Sequence, residues 1–239
     1  MMSYQYSQFD SDLFAIKVAR ILPLRLNYAQ LTSTLEDLRK EQYCMAIWIS
    51  DSTDQESQKS AQSLGGFLGS EQLTYHMSLA DLDLSKFSLE RVEEYTEKTS
   101  NADLEHLANC AGTLSHFRND KKLDQTKVTN LYNIWIANSV NGKIAKKVFI
   151  IRSEQKIAAM ITCGEKNNCG DIGLLAVDEN FRGQKMGEAL VRRAQAFFIK
   201  EGYACSQVVT QLNNFTACKL YEKCGYRKQK VENYYHFWL

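Results

Sequence analysis

Short apolar runs separated by polar turns organise the last part of the chain. Val148 to Ile151 and Ile157 to Cys163 are of strand length and flank the turn Glu154-Gln155-Lys156. Asn167 to Gly170 is a second turn, before a third run from Ile172 to Val177. After Asp178-Glu179-Asn180 the period changes: Met186, Ala189, Leu190, Ala194, Phe197 and Phe198 recur at helical spacing, with Gly202 placed to end the helix. Ser206 to Gln211 reads as a strand. Asn213 or Asn214 can cap a short helix that carries Ala217, Leu220, Tyr221 and Cys224 on one face and stops at Gly225, and Tyr234 to Leu239 closes the chain as an aromatic strand. Helical crossovers permit parallel pairing of the strands they join, so this order predicts a layered α/β core.

Upstream, Ile16 to Leu24, Met45 to Ser50 and Gln72 to Leu79 are strand candidates, with a helix around Leu31, Leu35 and Leu38. Between Ser88 and Gly142 the pattern is helical: Leu104, Leu107 and Ala108 share one face, Val128, Leu131, Tyr132, Trp135 and Ala137 less cleanly another, and Arg118 to Gln125 is a loop. There is no internal repeat and no low-complexity tract, and Pro23 is the only proline. The expected division is a smaller α/β subdomain over 1–100 and a second domain over 101–239.

Charge adds little to this picture. Lysine plus arginine number 29 against 28 acids, which gives no field of one sign for nucleic acid or an acidic membrane, so an anionic ligand needs a local site. Met1 to Asp12 is polar and no run approaches the ~18 apolar residues of a membrane span, so a cytoplasmic protein is expected. The seven cysteines form no CxxC pair, which predicts free thiols and neither a metal site nor a redox motif.

Arg182-Gly183-Gln184-Lys185-Met186-Gly187 lies between an apolar strand and an amphipathic helix, where main-chain N–H groups and the helix N-terminus can converge on a pyrophosphate. Gly183 and Gly187 let a phosphate approach and relax the turn, while Arg182 and Lys185 add charge. By itself such a loop is equally a solvated turn. It is neither a Walker loop, lacking GK[ST], nor a GxGxxG fingerprint.

The stretch LLAVDENFRGQKMGEALV resembles the acetyl-CoA motif of the GNAT superfamily, [QR]xxGx[GA] followed by a helix, with Arg182 and Gly187 at its ends. Lys185 replaces the middle glycine, and a helix beginning there would need only right-handed backbone. Asn214 to Tyr226, with Ala217, Leu220, Tyr221 and Gly225, is similar to the family's NxxAxxLYxxxGF block. The resemblance implies a GNAT mixed sheet flanked by helices and acetyl-CoA as co-substrate. It also implies cofactor contacts at Leu175, Val177, Arg182, Gly183, Gln184, Lys185, Met186, Gly187, Glu188 and Asn214, with Tyr221 protonating the departing thiolate. A phenol suits that task, since it ordinarily titrates at about 10, close to an alkyl thiol. Asp171, Glu165 and His236 are candidate bases.

Phe9-Asp-Ser-Asp-Leu-Phe14, Leu114-Ser-His-Phe117, Leu131 to Gly142 and Tyr235-His-Phe-Trp-Leu239 resemble the TDP-fucosamine acetyltransferase branch, in which His116 stands where SRF has arginine. This implies a nucleotide-linked amino-dideoxy sugar as acceptor, acetylated by direct transfer in a ternary complex, and a homodimer. Phe117, Trp135, Tyr235 and His236 are candidate acceptor contacts. Another small amine or a peptide N-terminus is the alternative acceptor, and a non-catalytic acyl-CoA-binding domain the alternative role.

Overall fold

The computed structural model describes residues 3–80, 82–85 and 87–239, so Met1 and Met2 of the polar opening lie outside it. The first half runs β1 (Tyr4–Tyr6), α1 (Gln8–Phe14), β2 (Val18–Ile21), α2 (Tyr28–Lys40), β3 (Met45–Asp51), α3 (Gln55–Ser63), β4 (Phe67–Ser78) and β5 (Glu93–Glu94). Then come α4 (Ala102–Ala111), α5 (His116–Asn119) and α6 (Gln125–Val140). The chain ends with β6 (Lys147–Ser153), β7 (Lys156–Lys166), β8 (Cys169–Val177), α7 (Met186–Lys200), β9 (Cys205–Gln211), α8 (Phe215–Lys223) and β10 (Arg227–Trp238). The ten strands form one mixed sheet, β1-β2-β3-β10-β4-β9-β8-β7-β6-β5, the helix-flanked α/β architecture expected.

Helices start where the sequence supplies an oxygen: Asn27, in a reciprocal box with Gln30, caps α2, and Asn101, Asp124 and Asn214 cap α4, α6 and α8. The apolar pattern misses α3, which buries only Ser57, Ser60 and Ala61. β10 begins well before its aromatic stretch, because Arg227 and Lys228 pair with β4 while their side chains stay exposed. Val231 and Tyr235, on the same side of β10, pack into the clusters under α7–α8 and α2–α3 respectively, which places those four helices on one face. The opposite face buries Leu104, Val128, Ile136 and Met160 beneath α4 and α6. No helix among the described residues is long and apolar enough to cross a membrane.

A repeat invisible in the sequence is present in the order of elements. β2-α2-β3-α3-β4 and β8-α7-β9-α8-β10 follow the same course, with β2 parallel to β3 and β8 parallel to β9. Their final strands are exchanged: β10 lies between β3 and β4, and β4 between β10 and β9.

The pairing of β8 with β9 is short. It runs from Gly170↔Ser206 to Ile172↔Val208 and stops where β8 bulges, an extra residue falling between the β7 partners Ile161↔Leu175 and Cys163↔Ile172. Beyond that point the strands splay. At the paired end Cys169 and Cys205 are joined in a disulfide, their Cα atoms 4.9 Å apart, which corrects the expectation that all seven thiols are free. The parallel register sets side by side two cysteines that lie 36 residues apart. His76 Nε2 lies 3.6 Å from Cys169 Sγ, completing a His-Cys-Cys group whose bonded sulfurs present no thiolate to a metal.

Candidate active site

The Arg182–Gly187 loop joins a single 3-10 turn, Glu179–Phe181, to α7. Gly183 has φ +81° and takes the left-handed turn. Gly187 serves differently from expectation: it lies in the first turn of α7, where an added Cβ would come 3.1 Å from Leu220 Cδ2, so it seats the helix against α8. Lys185 is also corrected. It is the N-cap residue before α7 and adopts φ 58°, ψ 17°, not the right-handed conformation, because the chain reverses there, at a cost of roughly 1–2 kcal/mol for a residue with a Cβ. No side chain caps α7, so its first N–H groups remain available to an external anion.

Around this turn Arg182 Nε approaches Val177 O at 3.4 Å, and Arg91 donates to Gln184 O at 3.1 Å. Met186 is buried, which leaves only its main chain for a ligand, and Glu188 is paired with Lys223 at 2.6 Å. Leu174 N–H donates to Thr162 Oγ1 (2.8 Å) and Asp178 N–H to Ala158 O (2.9 Å), both toward β7. Alternation along the strand therefore turns the N–H groups of Leu175 and Val177 into the gap beside β9.

A cavity of about 710 Å³ has Leu174, Leu175, Asn214, Ala217 and Tyr221 in its lining. Phe9, Arg20, His116, Phe117, Trp135 and Tyr234 line it as well. Val177 and Arg182 to Glu188 are not in its wall. Asn214 Oδ1 accepts from Ala217 N–H at 3.2 Å, which orients the side chain. Tyr221 is 4% exposed, its ring 5.9 Å from those of Tyr75 and Tyr226. Burial, then the neighbouring Tyr226, Cys224 and Cys218, push its phenol well above the ordinary 10, so it stays protonated at neutral pH. Burial likewise raises the Cys224 thiol to about 11 and Cys163 further, which makes both poor acyl carriers.

Of the candidate bases, Asp171 lines the cavity, accepts from Gln207 Nε2 at 2.8 Å and has its carboxyl raised by burial. Glu165 is exposed and bound to Lys146 and Tyr203. His236 is fully buried behind the wall. Among the candidate acceptor contacts, Phe117 and Trp135 reach the cavity, whereas Tyr235 points into the cluster under α2 and α3, against Trp48, ring centroids 6.0 Å apart. The sequence pattern missed Arg20, held by Asp10 at 2.6 Å, and Tyr234; period-two alternation would have separated Tyr234 from Tyr235.

Residues 115–226 match the Acetyltransferase (GNAT) family. The chain carries a GNAT acetyltransferase domain. The GNAT match opens at the cap of α5 and takes in the splayed strands, the α7 loop, Asn214 and Tyr221, stopping just before β10. The spore coat polysaccharide biosynthesis protein SpsD of Bacillus subtilis (strain 168) is 24% identical over 132 residues, covering 55% of this chain and 45% of that protein. The chain thus spans less than half the length of this curated relative. A GCN5-related N-acetyltransferase from Sphaerobacter thermophilus aligns with 98% of this chain and 75% of its own, at 10% identity and a TM-score of 0.66. One from Kribbella flavida aligns with 98% and 86%, at 14% identity and 0.58. At such identities the likeness concerns the fold, and it extends over the N-terminal half as well.

Proposed function

We propose that the chain transfers acetyl from acetyl-CoA to the amino group of a nucleotide-linked amino-dideoxy sugar, such as a dTDP sugar, by direct attack while both substrates are bound. The observation that carries this reading is that one cavity is lined both by Tyr221 and the opened edge of β8 and by Phe9, Arg20 and Trp135. Direct transfer needs donor and acceptor in one enclosure, and the cavity volume is that of a small-molecule site.

In this reading the main chain of Leu175 and Val177 pairs with the pantetheine amides and Asn214 touches the same arm. The pyrophosphate lies against Arg182, Gly183, Gln184, Lys185, Met186, Gly187 and Glu188, chiefly through main-chain N–H groups. Tyr221 gives its proton to sulfur as the C–S bond breaks. Residues 1–100 supply the acceptor side through Phe9, Asp10, Arg20 and Thr74, where aromatic faces suit sugar and base and a guanidinium suits a diphosphate. The likeness to SpsD, named for polysaccharide biosynthesis, supports a sugar acceptor.

Free-thiol release from acetyl-CoA should be followed with dTDP-amino-dideoxy sugars, polyamines and peptides. Release with the nucleotide sugars alone is expected. Release only with the other amines would reassign the acceptor, and acetyl-CoA binding by calorimetry with no release would indicate a binding domain.

A further inference from the structure

Three titratable side chains run in line from the cavity wall into the core. His116, the first residue of α5, lines the cavity, and its Nδ1 lies 2.8 Å from His236 Nε2 on β10. His236 Nδ1 lies 2.7 Å from Asp120 Oδ2, which also accepts from Trp238 Nε1 at 3.0 Å, while Lys122 N–H donates to Oδ1. The three residues are 6%, 0% and 3% exposed. A carboxylate only accepts, so His236 carries its proton on Nδ1 and accepts at Nε2, and His116 must donate from Nδ1. That leaves the lone pair on His116 Nε2. The atom has no hydrogen-bond partner among the described residues, and it is absent from their buried unpaired polar atoms, so it remains accessible.

The fold makes room for this arrangement. β4 bulges at Gly69 between the pairs Tyr234↔Ser70 and Tyr235↔Leu68, and a Cβ there would stand 2.8 Å from His116 Cβ. Asn119 Nδ2 donates to Gly69 O at 2.8 Å and ties α5 to the bulge. Tyr234 flanks the His116 ring at 4.8 Å. A pair of histidines whose role was only to fill the core would need neither an open nitrogen nor a glycine bulge.

We infer that Asp120, His236 and His116 form a proton relay, and that His116 Nε2 is the base that takes the proton of the attacking amine. This rests on the acetyl-transfer reading above. As the amine nitrogen bonds to the thioester carbonyl carbon, its surplus proton passes to His116 Nε2. The Nδ1 proton of His116 moves to His236 Nε2, so the positive charge comes to rest beside the Asp120 carboxylate. The C–S bond breaks, sulfur takes the Tyr221 proton, and the proton taken from the amine returns to the Tyr221 phenolate through solvent. Amine and thioester thus become amide and thiol with no net gain or loss of protons.

Other groups near the relay are Arg20 of β2 with its partner Asp10 of α1, Tyr234 and Trp238 of β10, and Lys122, whose ammonium lies over the Trp238 ring. Burial first, then His236 and Arg20, hold His116 neutral at physiological pH and ready to accept a proton. Asp120, despite burial, is held low by its hydrogen bonds from His236, the Lys122 N–H and Trp238.

The test measures thiol release by the intact protein against pH. His116→Gln is expected to lower kcat about 10²-fold or more with KM for acetyl-CoA unchanged. Free imidazole should partly restore His116→Gly. Asp120→Asn removes the countercharge and should lower kcat while moving the acid limb of the profile to lower pH, a shift that a loss of packing alone does not produce. Nitrogen-15 histidine spectra of the wild type should show the Nδ1–H tautomer for both rings, which keeps the relay testable where a variant fails to fold. An unchanged kcat in folded His116→Gln, or an Nε2–H tautomer at His116, overturns the relay and leaves acetyl transfer standing. A wild type with the expected tautomers but no turnover on any amine overturns the functional reading, and the relay with it.

Discussion

At the scale of single residues, Tyr221 carries the clearest prediction. Tyr221→Phe should lower kcat by about 10²-fold with KM for acetyl-CoA nearly unchanged, measured where chemistry limits turnover. Gly187→Leu should act on binding, since its side chain would meet Leu220 and Val177; overpacking of about 1–3 kcal/mol and a raised KM for acetyl-CoA are expected in melting and steady-state assays. His116 gives a pH signature in stability. Its folded value lies below the ordinary 6.5, so as pH falls past that point the unfolded chain takes up a proton the folded one refuses, and stability drops. Denaturant titrations between about pH 7.5 and 5 should show this slope in the wild type and a flatter one in His116→Gln. Tyr221 and Asn214 were legible in the sequence because they sit in a local block of fixed spacing. His116 was not, since its partner His236 lies 120 residues away and only tertiary packing aligns their rings.

Among elements, α7 and α8 were readable from apolar period and capping residues, and the strands of the second half from their runs. The bulge that opens β8 was not, because Gly173 and Leu174 look like any continuation of a strand; the deciding contact is Leu174 N–H to Thr162 Oγ1 across the ladder. Thr162→Val keeps the shape and removes that acceptor. It should cost about 1–3 kcal/mol in denaturant unfolding and raise KM for acetyl-CoA by disturbing the edge that Leu175 and Val177 present. The disulfide escaped notice for a related reason: register, not spacing, brings Cys169 to Cys205. α3 left no trace because serines and an alanine form its buried face.

For the whole molecule, the sheet is shared between the halves, and a division of the chain near residue 100 falls between β5 and α4 without dividing the sheet. Deleting Arg227 to Leu239 removes β10 from between β3 and β4. The truncated chain should lose ordered structure in the N-terminal half as well as around Tyr221, read as loss of dispersed amide resonances across residues 18–78 and their rapid proteolysis. Two β-α-β-α-β courses of dissimilar sequence explain why no repeat was legible: layering survives where side chains differ. The exchange of β4 and β10 also bears on synthesis at the ribosome. β3 and β4 emerge early but have no strand to join them until residue 238 has left the exit tunnel, so the nascent N-terminal half waits with one edge of β3 and both edges of β4 open, and the chamber that would receive both substrates cannot close before then.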